Sequence, residues 1–279
     1  IIGKGFDEDV VYRVSRSLAQ YLEAKKIVVG FDARQTSKSF AETASQGVMD
    51  AGSDVLEIGM AGTEEMYSAV NQFSACAGIE VTASHNPLEY NGLKMVKYGA
   101  APLDNEIELL KIRDLSEHGI WLDRKKGRYK NISQEARSKY VDKVLSFVDL
   151  DFSKPLKVVV NCGNGAAGPT LGKIIKKLHF MNKKIIFYEF LNQPDPNFPK
   201  GIPNPLLKEN QELTGNLVKQ KKADFGVAFD GDFDRCFFFD KDGKFVPGEY
   251  VVGLLAEAFL LKDKDSTIIY DPRVIWNTE

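Results

Sequence analysis

The chain has 279 residues, of which 43% are hydrophobic and 27% charged, and this composition excludes an intrinsically disordered chain and a disulfide-stapled miniprotein. Lys and Arg total 37 against 39 Asp and Glu, so the net charge of −2 provides no field to recruit nucleic acid or an anionic membrane. We therefore expect a globular protein of roughly two domains, with no nucleic acid and no membrane among its partners.

The cysteines and the apolar runs indicate the compartment. Cys76, Cys162 and Cys236 lie in separate strand-like stretches, which favours reduced thiols over a disulfide framework or a zinc site. The apolar runs fall well short of the ~20 residues that span a bilayer, and the N-terminus lacks a signal-peptide pattern. The sequence thus predicts a cytoplasmic protein.

The first half of the chain alternates helix and strand patterns, which predicts a mostly parallel sheet covered by helices on both faces. Asp7 is expected to cap a first helix, Ser37 to begin a second helix, and Thr63 to begin a third. An amphipathic stretch further on predicts a linking helix. The strands predicted between the first helices are 27–32, 55–58 and 78–83, and the linking helix is 133–148.

A second series of elements follows a domain boundary that we place at residues 149–151. The dipeptide Asp242-Gly243 predicts a two-residue hairpin turn in which both residues have positive φ. The fold class predicted is α/β, with consecutive three-layer α/β/α domains and mixed, mostly parallel sheets. We divide the chain into domains 1–150 and 151–240 and the start of a third domain, 241–279. The predicted elements of the second series are strands 156–160, 185–190, 225–229, 236–239 and 267–270, and helices 169–178, 206–221 and 250–261.

Three alternate aspartates, Asp230, Asp232 and Asp234, follow the apolar strand 225–229. Alternate side chains of an extended segment project to one side, so the three carboxylates converge and repel one another. A hard divalent cation relieves that repulsion, and ligation by oxygen alone suits Mg²⁺ better than Zn²⁺. A solvated acidic turn is the simpler alternative. The first two aspartates also resemble the haloacid-dehalogenase nucleophile motif, although the acid at the fifth position departs from it.

Ser84, His85, Asn86 and Pro87 leave the strand 78–83 and are followed by Lys94. A serine at a strand exit is exposed at the edge of the sheet where function concentrates, but it is a weak nucleophile without a partner. His85 and Lys94 are candidate proton shuttles, and both can also hold a phosphate. A capping serine beside a loop histidine and a surface lysine is an equally simple interpretation.

The glycines at 163, 165 and 168 present a dinucleotide-binding pattern. They follow a strand, open a predicted helix, and precede Glu189 at the end of the next strand. Such short patterns match often by chance, and a tight strand-to-helix turn also requires glycine. A nucleotide-linked oxidoreductase therefore remains an alternative at this point.

Taken together, the motifs resemble those of the α-D-phosphohexomutase superfamily, and most closely its bacterial phosphomannomutases. The strings that carry the resemblance are 82–87, 91–94 and 230–235, in this order and at this separation. Weaker similarity at 30–34, 62–67, 164–169 and 201–205 extends it over nearly the whole chain. The resemblance implies interconversion of mannose 6-phosphate and mannose 1-phosphate through a phosphoserine and a hexose 1,6-bisphosphate.

The resemblance also implies a role for each site residue. Ser84 is expected to be phosphorylated in the resting enzyme and to share a Mg²⁺ ion with the three aspartates. Lys94 is expected to transfer protons with His85 nearby. The residues expected to contact phosphoryl or sugar groups are Arg34, Asn86 and Arg235.

Two departures from the family pattern stand out. The usual Asp-Ile-Arg-Gly opening is replaced by Ile-Ile-Gly-Lys at residues 1–4, which removes or replaces an arginine expected near the phosphoserine. Family members have four domains, so we expect this polypeptide alone to bind Mg²⁺ but to turn over slowly. The alternatives left open are a phosphoglucomutase or phosphoglucosamine mutase of the same superfamily and, outside catalysis, a sugar-phosphate sensor or inactive paralogue.

Overall fold

The computed structural model describes residues 1–148 and 154–270, which form two mixed sheets with helices on both faces. The predicted fold class is thereby confirmed. The elements of the first part are α1 (Glu8–Tyr21), β1 (Lys26–Phe31), α2 (Ser37–Asp50), β2 (Asp54–Met60), α3 (Thr63–Gln72), β3 (Ala77–Val81), β4 (Leu93–Lys97), a 3₁₀ turn (Tyr98–Ala100), β5 (Ala101–Pro102), α4 (Glu108–His118), β6 (Tyr129–Asn131) and α5 (Ser133–Leu145).

The first sheet has the strand order β5-β4-β3-β1-β2-β6, and its central strands run parallel. Side chains of β1 alternate between two cores because successive residues of a strand point to opposite faces. Ile27 and Val29 pack in the core that α1, α2 and α4 cover, whereas Val28 packs in the core under α3 and α5. Burial on both faces explains the unbroken apolar run of this strand.

The second sheet has the strand order β11-β10-β9-β7-β8, in which β10 is antiparallel to both of its neighbours and the other strands share one direction. Val158 and Val160 pack against α6, while Val159 packs against α7 on the other face. The elements are β7 (Leu156–Asn161), α6 (Ala167–Phe180), β8 (Ile185–Phe190), α7 (Lys208–Lys221), β9 (Phe225–Phe229), β10 (Cys236–Phe239), β11 (Phe245–Val246) and α8 (Gly248–Lys262).

Two local predictions are wrong. The hairpin between β10 and β11 is longer than two residues, and only Gly243 of the predicted pair has positive φ. The Gly243 N–H donates to the Asp240 carbonyl and the Asp240 N–H to the Lys244 carbonyl, so the connection is a three-residue turn ending in a left-handed glycine. Residues 267–270, predicted as a strand, have no regular structure and no strand partner among the described residues.

The predicted domain limits fall partly on residues that the structure does not describe. The boundary at 149–151 lies outside the described residues, and the second sheet extends past residue 240 through β11. The division into 1–150, 151–240 and 241–279 therefore stays a prediction. Over the described part of the chain, no helix combines the length and apolar character needed to cross a bilayer.

Candidate active site

Ser84 lies in the serine loop, which we define as residues 82–92, between β3 and β4. Its φ of +50° is in the left-handed region, which is strained for a residue other than glycine and is often found at functional sites. The backbone N–H of Ser84 donates to Thr82 Oγ1 at 2.8 Å and supports this turn. The turn directs the Ser84 hydroxyl away from its own sheet towards the loop that follows β9.

The acidic loop, residues 230–235, connects β9 to β10. Ser84 Oγ donates a 2.6 Å hydrogen bond to Asp230 Oδ2, although the two residues are 146 positions apart. Asp230, Asp232 and Asp234 each offer a carboxylate oxygen, and these atoms all lie within 4.8 Å of one another. The structure thus brings together the serine and the three aspartates that the sequence singled out.

The two inner aspartates of the acidic loop, Asp230 and Asp232, are completely buried. Burial raises the pKa of Asp230, and the neighbouring Asp232 charge raises it further. Burial would also raise the pKa of Asp232, but the Lys94 ammonium outweighs this effect and holds that pKa below its ordinary value. A buried cluster of this kind needs cationic partners.

Two basic side chains neutralise the acidic loop. Lys94 Nζ lies 2.6 Å from both Asp232 Oδ2 and Asp234 Oδ2. Partial burial would lower the pKa of Lys94, but these two carboxylates outweigh it and raise that pKa. Arg235 donates to Asp230 Oδ2 from Nε at 2.9 Å and from Nη2 at 2.5 Å. Both cations therefore contact the oxygens that are candidate metal ligands.

The donors of the acidic loop fit a hard divalent cation. Close carboxylate oxygens without nitrogen or sulfur ligands are the set that Mg²⁺ prefers. Asp232 Oδ1 is buried and has no hydrogen-bond partner among the described residues, so one acceptor is available to an ion. Lys94 and Arg235 donate to other oxygens of the cluster. An ion bound there would compete with these two side chains for the same carboxylates.

The hydroxyl of Ser84 has two further neighbours. His85 Nδ1 lies 3.2 Å from Ser84 Oγ, and Arg235 Nη2 donates to the same oxygen at 3.1 Å. Burial and the Arg235 charge lower the pKa of His85. Asn86 contributes its backbone carbonyl within the loop, while its side chain is exposed. Of the residues expected to contact phosphate, Arg235 contacts the Ser84 hydroxyl, whereas Asn86 is exposed to solvent.

Arg34 is placed differently from Arg235. Its side chain is nearly inaccessible, and both terminal nitrogens donate to backbone carbonyls of the serine loop. Its expected contact with phosphoryl or sugar groups stays a prediction that no contact in the structure tests.

Thr63 is a site residue for which the sequence predicted only a helix start. Its Oγ1 donates to Asp232 Oδ2 at 2.7 Å, and its N–H donates to the Asp232 carbonyl at 3.2 Å. The N-terminus of α3, where the helix dipole is positive, therefore faces the acidic loop. The available signal was its position just after β2, at the same sheet edge as the serine loop.

Glu80 is a second residue that sequence reasoning did not single out. It lies on β3 directly opposite Lys94 on β4, and it is completely buried. Burial raises the pKa of Glu80 well above its ordinary value, and the charges of Asp32 and Asp232 add to the effect. Neither carboxyl oxygen has a hydrogen-bond partner among the described residues, so we expect an uncharged acid. The signal was a charged residue inside an apolar strand.

Buried polar contacts join helices of the first and second sheets near the site. Glu65 Oε1 on α3 accepts a 2.8 Å hydrogen bond from Thr170 Oγ1 on α6. Arg137 Nε on α5 lies 3.3 Å from the same oxygen and 3.2 Å from Thr170 Oγ1. Because loss of one partner leaves a buried charge uncompensated, these contacts should stabilise the junction of α3, α5 and α6.

Close backbone packing accounts for the glycines of the alternative dinucleotide pattern. A Cβ on Gly165 would lie 2.7 Å from the Gly231 carbonyl oxygen, and one on Gly168 would lie 1.8 Å from the Asn192 carbonyl oxygen. A Cβ on Gly163 would meet Pro203 at 2.3 Å. Protein atoms fill the space above each glycine, so the pattern is explained without a dinucleotide.

This packing predicts a contrast between two glycines of α6. We expect Gly168→Ala to lower the free energy of unfolding by about 2 kcal/mol or more, because the methyl group overlaps a backbone oxygen. Gly172→Ala, which would place its Cβ in open space, should be neutral or stabilising by about 0.5–1 kcal/mol. Urea unfolding of both variants measures the difference. Equal midpoints would contradict the close packing at Gly168.

Two family models match the chain. The model described as phosphoglucomutase/phosphomannomutase, alpha/beta/alpha domain I, matches residues 1–119, and that for domain II matches residues 138–243. A curated phosphomannomutase of Salmonella montevideo is 47% identical over 281 residues, a match that covers 100% of this chain and 61% of the relative. The phosphohexose mutases of Xanthomonas campestris are 42% identical, with 98% of this chain and 59% of the relative covered. The chain thus spans about three fifths of these relatives' length.

A solved structure shows the same architecture. The crystal structure of a phosphoglucomutase/phosphomannomutase family protein from Burkholderia thailandensis superposes with a TM-score of 0.83 at 29% identity. The superposition covers 94% of this chain and 57% of that chain.

Proposed function

The chain belongs to the phosphoglucomutase/phosphomannomutase family, and on that premise we propose that it carries the phosphoserine and the metal ligands of a phosphomannomutase. The proposed reaction interconverts mannose 6-phosphate and mannose 1-phosphate through a hexose 1,6-bisphosphate. The observation that carries the proposal is the 2.6 Å contact between Ser84 Oγ and Asp230 Oδ2. It places a phosphorylatable hydroxyl against a cluster of carboxylates, an arrangement that requires a cation between them once phosphate is attached.

We propose Mg²⁺ as that cation, held by Asp230, Asp232 and Asp234 together with an oxygen of phosphorylated Ser84. The support is the oxygen-only donor set and the unpartnered Asp232 Oδ1. When bound, the ion would neutralise charge on the phosphoryl group during transfer. The chain's own cations have the complementary task, since Arg235 donates to Ser84 Oγ and would contact a phosphate attached there.

In the proposed reaction, phosphorylated Ser84 gives its phosphoryl group to the free hydroxyl of a hexose monophosphate. The P–Oγ bond breaks and a bond from phosphorus to the sugar oxygen forms. The sugar hydroxyl gives its proton to a base, and Ser84 Oγ takes up one proton to become a hydroxyl again. Lys94 and His85 are the proposed proton carriers, because Lys94 Nζ contacts Asp232 and Asp234 of the acidic loop and His85 Nδ1 is 3.2 Å from Oγ. The bisphosphate then reorients in the site and returns its other phosphoryl group to Ser84.

Mannose is the proposed sugar because relatives named phosphomannomutase are 45–47% identical to this chain. A phosphoglucomutase or phosphoglucosamine mutase would use the same serine and the same carboxylates. The residues of the serine loop and the acidic loop serve phosphoryl transfer. The choice of sugar therefore rests on the sequence identity to these relatives alone.

The proposal is tested by the covalent state of Ser84. The chain is first treated with mannose 6-phosphate, which should remove any phosphate already on Ser84. Incubation with mannose 1,6-bisphosphate and MgCl₂ should then add one phosphoryl group, and peptide mapping by mass spectrometry should place it on Ser84. Mannose 6-phosphate should then remove it. The Ser84→Ala chain is the matched control and should gain no mass. Phosphate on another residue, or none on Ser84, would refute the proposal, and faster labelling by the glucose or glucosamine bisphosphate would change the proposed sugar.

A further inference from the structure

We propose that Arg34 is a positioning residue that holds the serine loop in the conformation needed for phosphoryl transfer, and that it does not bind phosphate itself. The inference rests on the proposed function, because phosphoryl transfer at Ser84 is what the loop conformation serves. It replaces the expectation that Arg34 contacts the phosphoryl or sugar groups. Asp32, two residues earlier, is the second member of the positioning pair.

The contacts of the Arg34 guanidinium are all to backbone oxygens of one short segment. Nη1 donates to the carbonyls of Pro87 at 2.8 Å and Tyr90 at 3.1 Å. Nη2 donates to the carbonyls of Ser84 at 3.0 Å and of Asn86. Four carbonyls within seven residues are thereby gathered around a single planar group. A lysine, with one nitrogen and three protons, cannot reproduce this geometry.

The same contacts leave no terminal N–H group for a substrate. A guanidinium has five N–H groups, of which four belong to the two terminal nitrogens and one to Nε. All four terminal N–H groups of Arg34 point to carbonyls. Nε is buried without a hydrogen-bond partner among the described residues and lies 3.5 Å from Asp32 Oδ2. Only 4% of Arg34 is exposed. A phosphate oxygen would have to displace a carbonyl of the loop to reach it.

Asp32 connects Arg34 to the strained turn at Ser84. Its Oδ2 accepts a 2.7 Å hydrogen bond from Thr82 Oγ1, and Thr82 Oγ1 in turn accepts the Ser84 N–H at 2.8 Å. Its Oδ1 accepts from the Ser37 hydroxyl and from the Arg34 N–H. Ser84 is therefore held from two sides, at its N–H through Thr82 and at its carbonyl through Arg34. Strained backbone persists only where surrounding contacts hold it in this way.

The consequence is a fixed direction for the Ser84 hydroxyl. A left-handed φ at Ser84 sets the direction in which Oγ leaves the loop, and the 2.6 Å contact with Asp230 depends on it. A displacement of about 1 Å in a reacting group is enough to cost about 100-fold in rate. Release of the loop carbonyls by loss of the guanidinium should produce a displacement of that order.

The test is Arg34→Lys, assayed by the rate of Ser84 phosphorylation from mannose 1,6-bisphosphate. We expect the rate constant at saturating bisphosphate to fall about 100-fold, while the bisphosphate concentration giving half the maximal rate changes by less than about twofold. If Arg34 bound the phosphate itself, the half-saturating bisphosphate concentration would rise and the rate constant at saturation would fall less. Amide hydrogen exchange of residues 82–92 should increase in the variant, and exchange in β1 and β3 should not.

Two further variants and the unmodified chain separate the outcomes. Arg13→Lys is the matched control, because Arg13 on α1 also donates to a backbone carbonyl, that of Ser116 at 2.7 Å, outside the serine loop and the acidic loop; it should change neither rate nor loop exchange. Thr82→Val removes the hydroxyl that accepts the Ser84 N–H and does not alter charge. It should show the same loss of rate, and it replaces Arg34→Lys as the test if that variant does not fold. Unchanged loop exchange in the folded variants overturns the inference. Failure of the unmodified chain to label Ser84 refutes the proposed function, and loop exchange still decides whether Arg34 positions the loop.

Discussion

Replacement of Asp232 by asparagine is expected to weaken Mg²⁺ binding by at least about 100-fold and to slow phosphorylation of Ser84 by about 1,000-fold. Asp232 is completely buried, it supplies the unpartnered oxygen Oδ1, and its other oxygen binds Lys94 and Thr63. An amide cannot contribute the negative charge that a buried divalent site needs. Titration calorimetry with MgCl₂ and the mass-spectrometric rate of Ser84 labelling measure the two effects.

Asp242→Asn is the matched control for Asp232→Asn, because it removes the same charge from an exposed turn between β10 and β11. It should alter Mg²⁺ affinity and labelling by less than about twofold, since Asp242 is solvent-exposed and is not part of the acidic cluster. The thermal midpoints of both variants without Mg²⁺ show whether the fold is kept. Retained Mg²⁺ affinity in a folded Asp232→Asn chain would remove Asp232 from the ligand set.

The residues of the site could be predicted because each lies in a short local motif. Ser84 and the three aspartates leave strands at their carboxyl ends, where parallel sheets concentrate function. The distance between these side chains was harder to predict. Ser84 and Asp230 follow strands of different sheets, and the sequence of neither motif encodes the 2.6 Å contact between them.

The partners of the charged residues were the least predictable part of the site. From the sequence, an arginine in the string 30–34 can equally bind a phosphate or donate to backbone carbonyls. The contacts of Arg34 with the serine-loop carbonyls appear only in the folded chain, and they support the positioning role that we propose for it. Glu80 illustrates the same difficulty. A charged residue in a strand usually faces solvent, but β3 is covered on both faces, so Glu80 is buried. Its carboxyl oxygens have no hydrogen-bond partner within residues 1–148 and 154–270.

The hairpin between β10 and β11 shows why turn chemistry alone misled. Asp-Gly is the usual pair for a two-residue turn, yet the register of Phe239 opposite Phe245 leaves too many residues for one. Strand pairing is set by the packing of Phe239 in the core with α7, and the turn adapts to it. Local preference therefore yields to burial where the two conflict.

Gly231→Ala is expected to slow Ser84 phosphorylation by about 100-fold while leaving Mg²⁺ affinity much less affected. A Cβ on Gly231 would lie 2.5 Å from the Ser84 carbonyl oxygen, the same oxygen that Arg34 Nη2 holds at 3.0 Å. The Gly231 carbonyl in turn accepts from the Ala166 N–H at 3.0 Å, so the acidic loop is held on its other side and cannot retreat. The methyl group must therefore separate Ser84 from Asp230.

The two variants divide the site into its two functions. Asp232→Asn removes a ligand and should impair both Mg²⁺ binding and labelling, whereas Gly231→Ala keeps every carboxylate on one loop and should impair labelling. Gly172→Ala, whose added methyl group meets open space, is the matched control and should leave both measurements unchanged. If Gly231→Ala labelled Ser84 at the unmodified rate, the contact between the serine loop and the acidic loop would not be what aligns the hydroxyl for transfer.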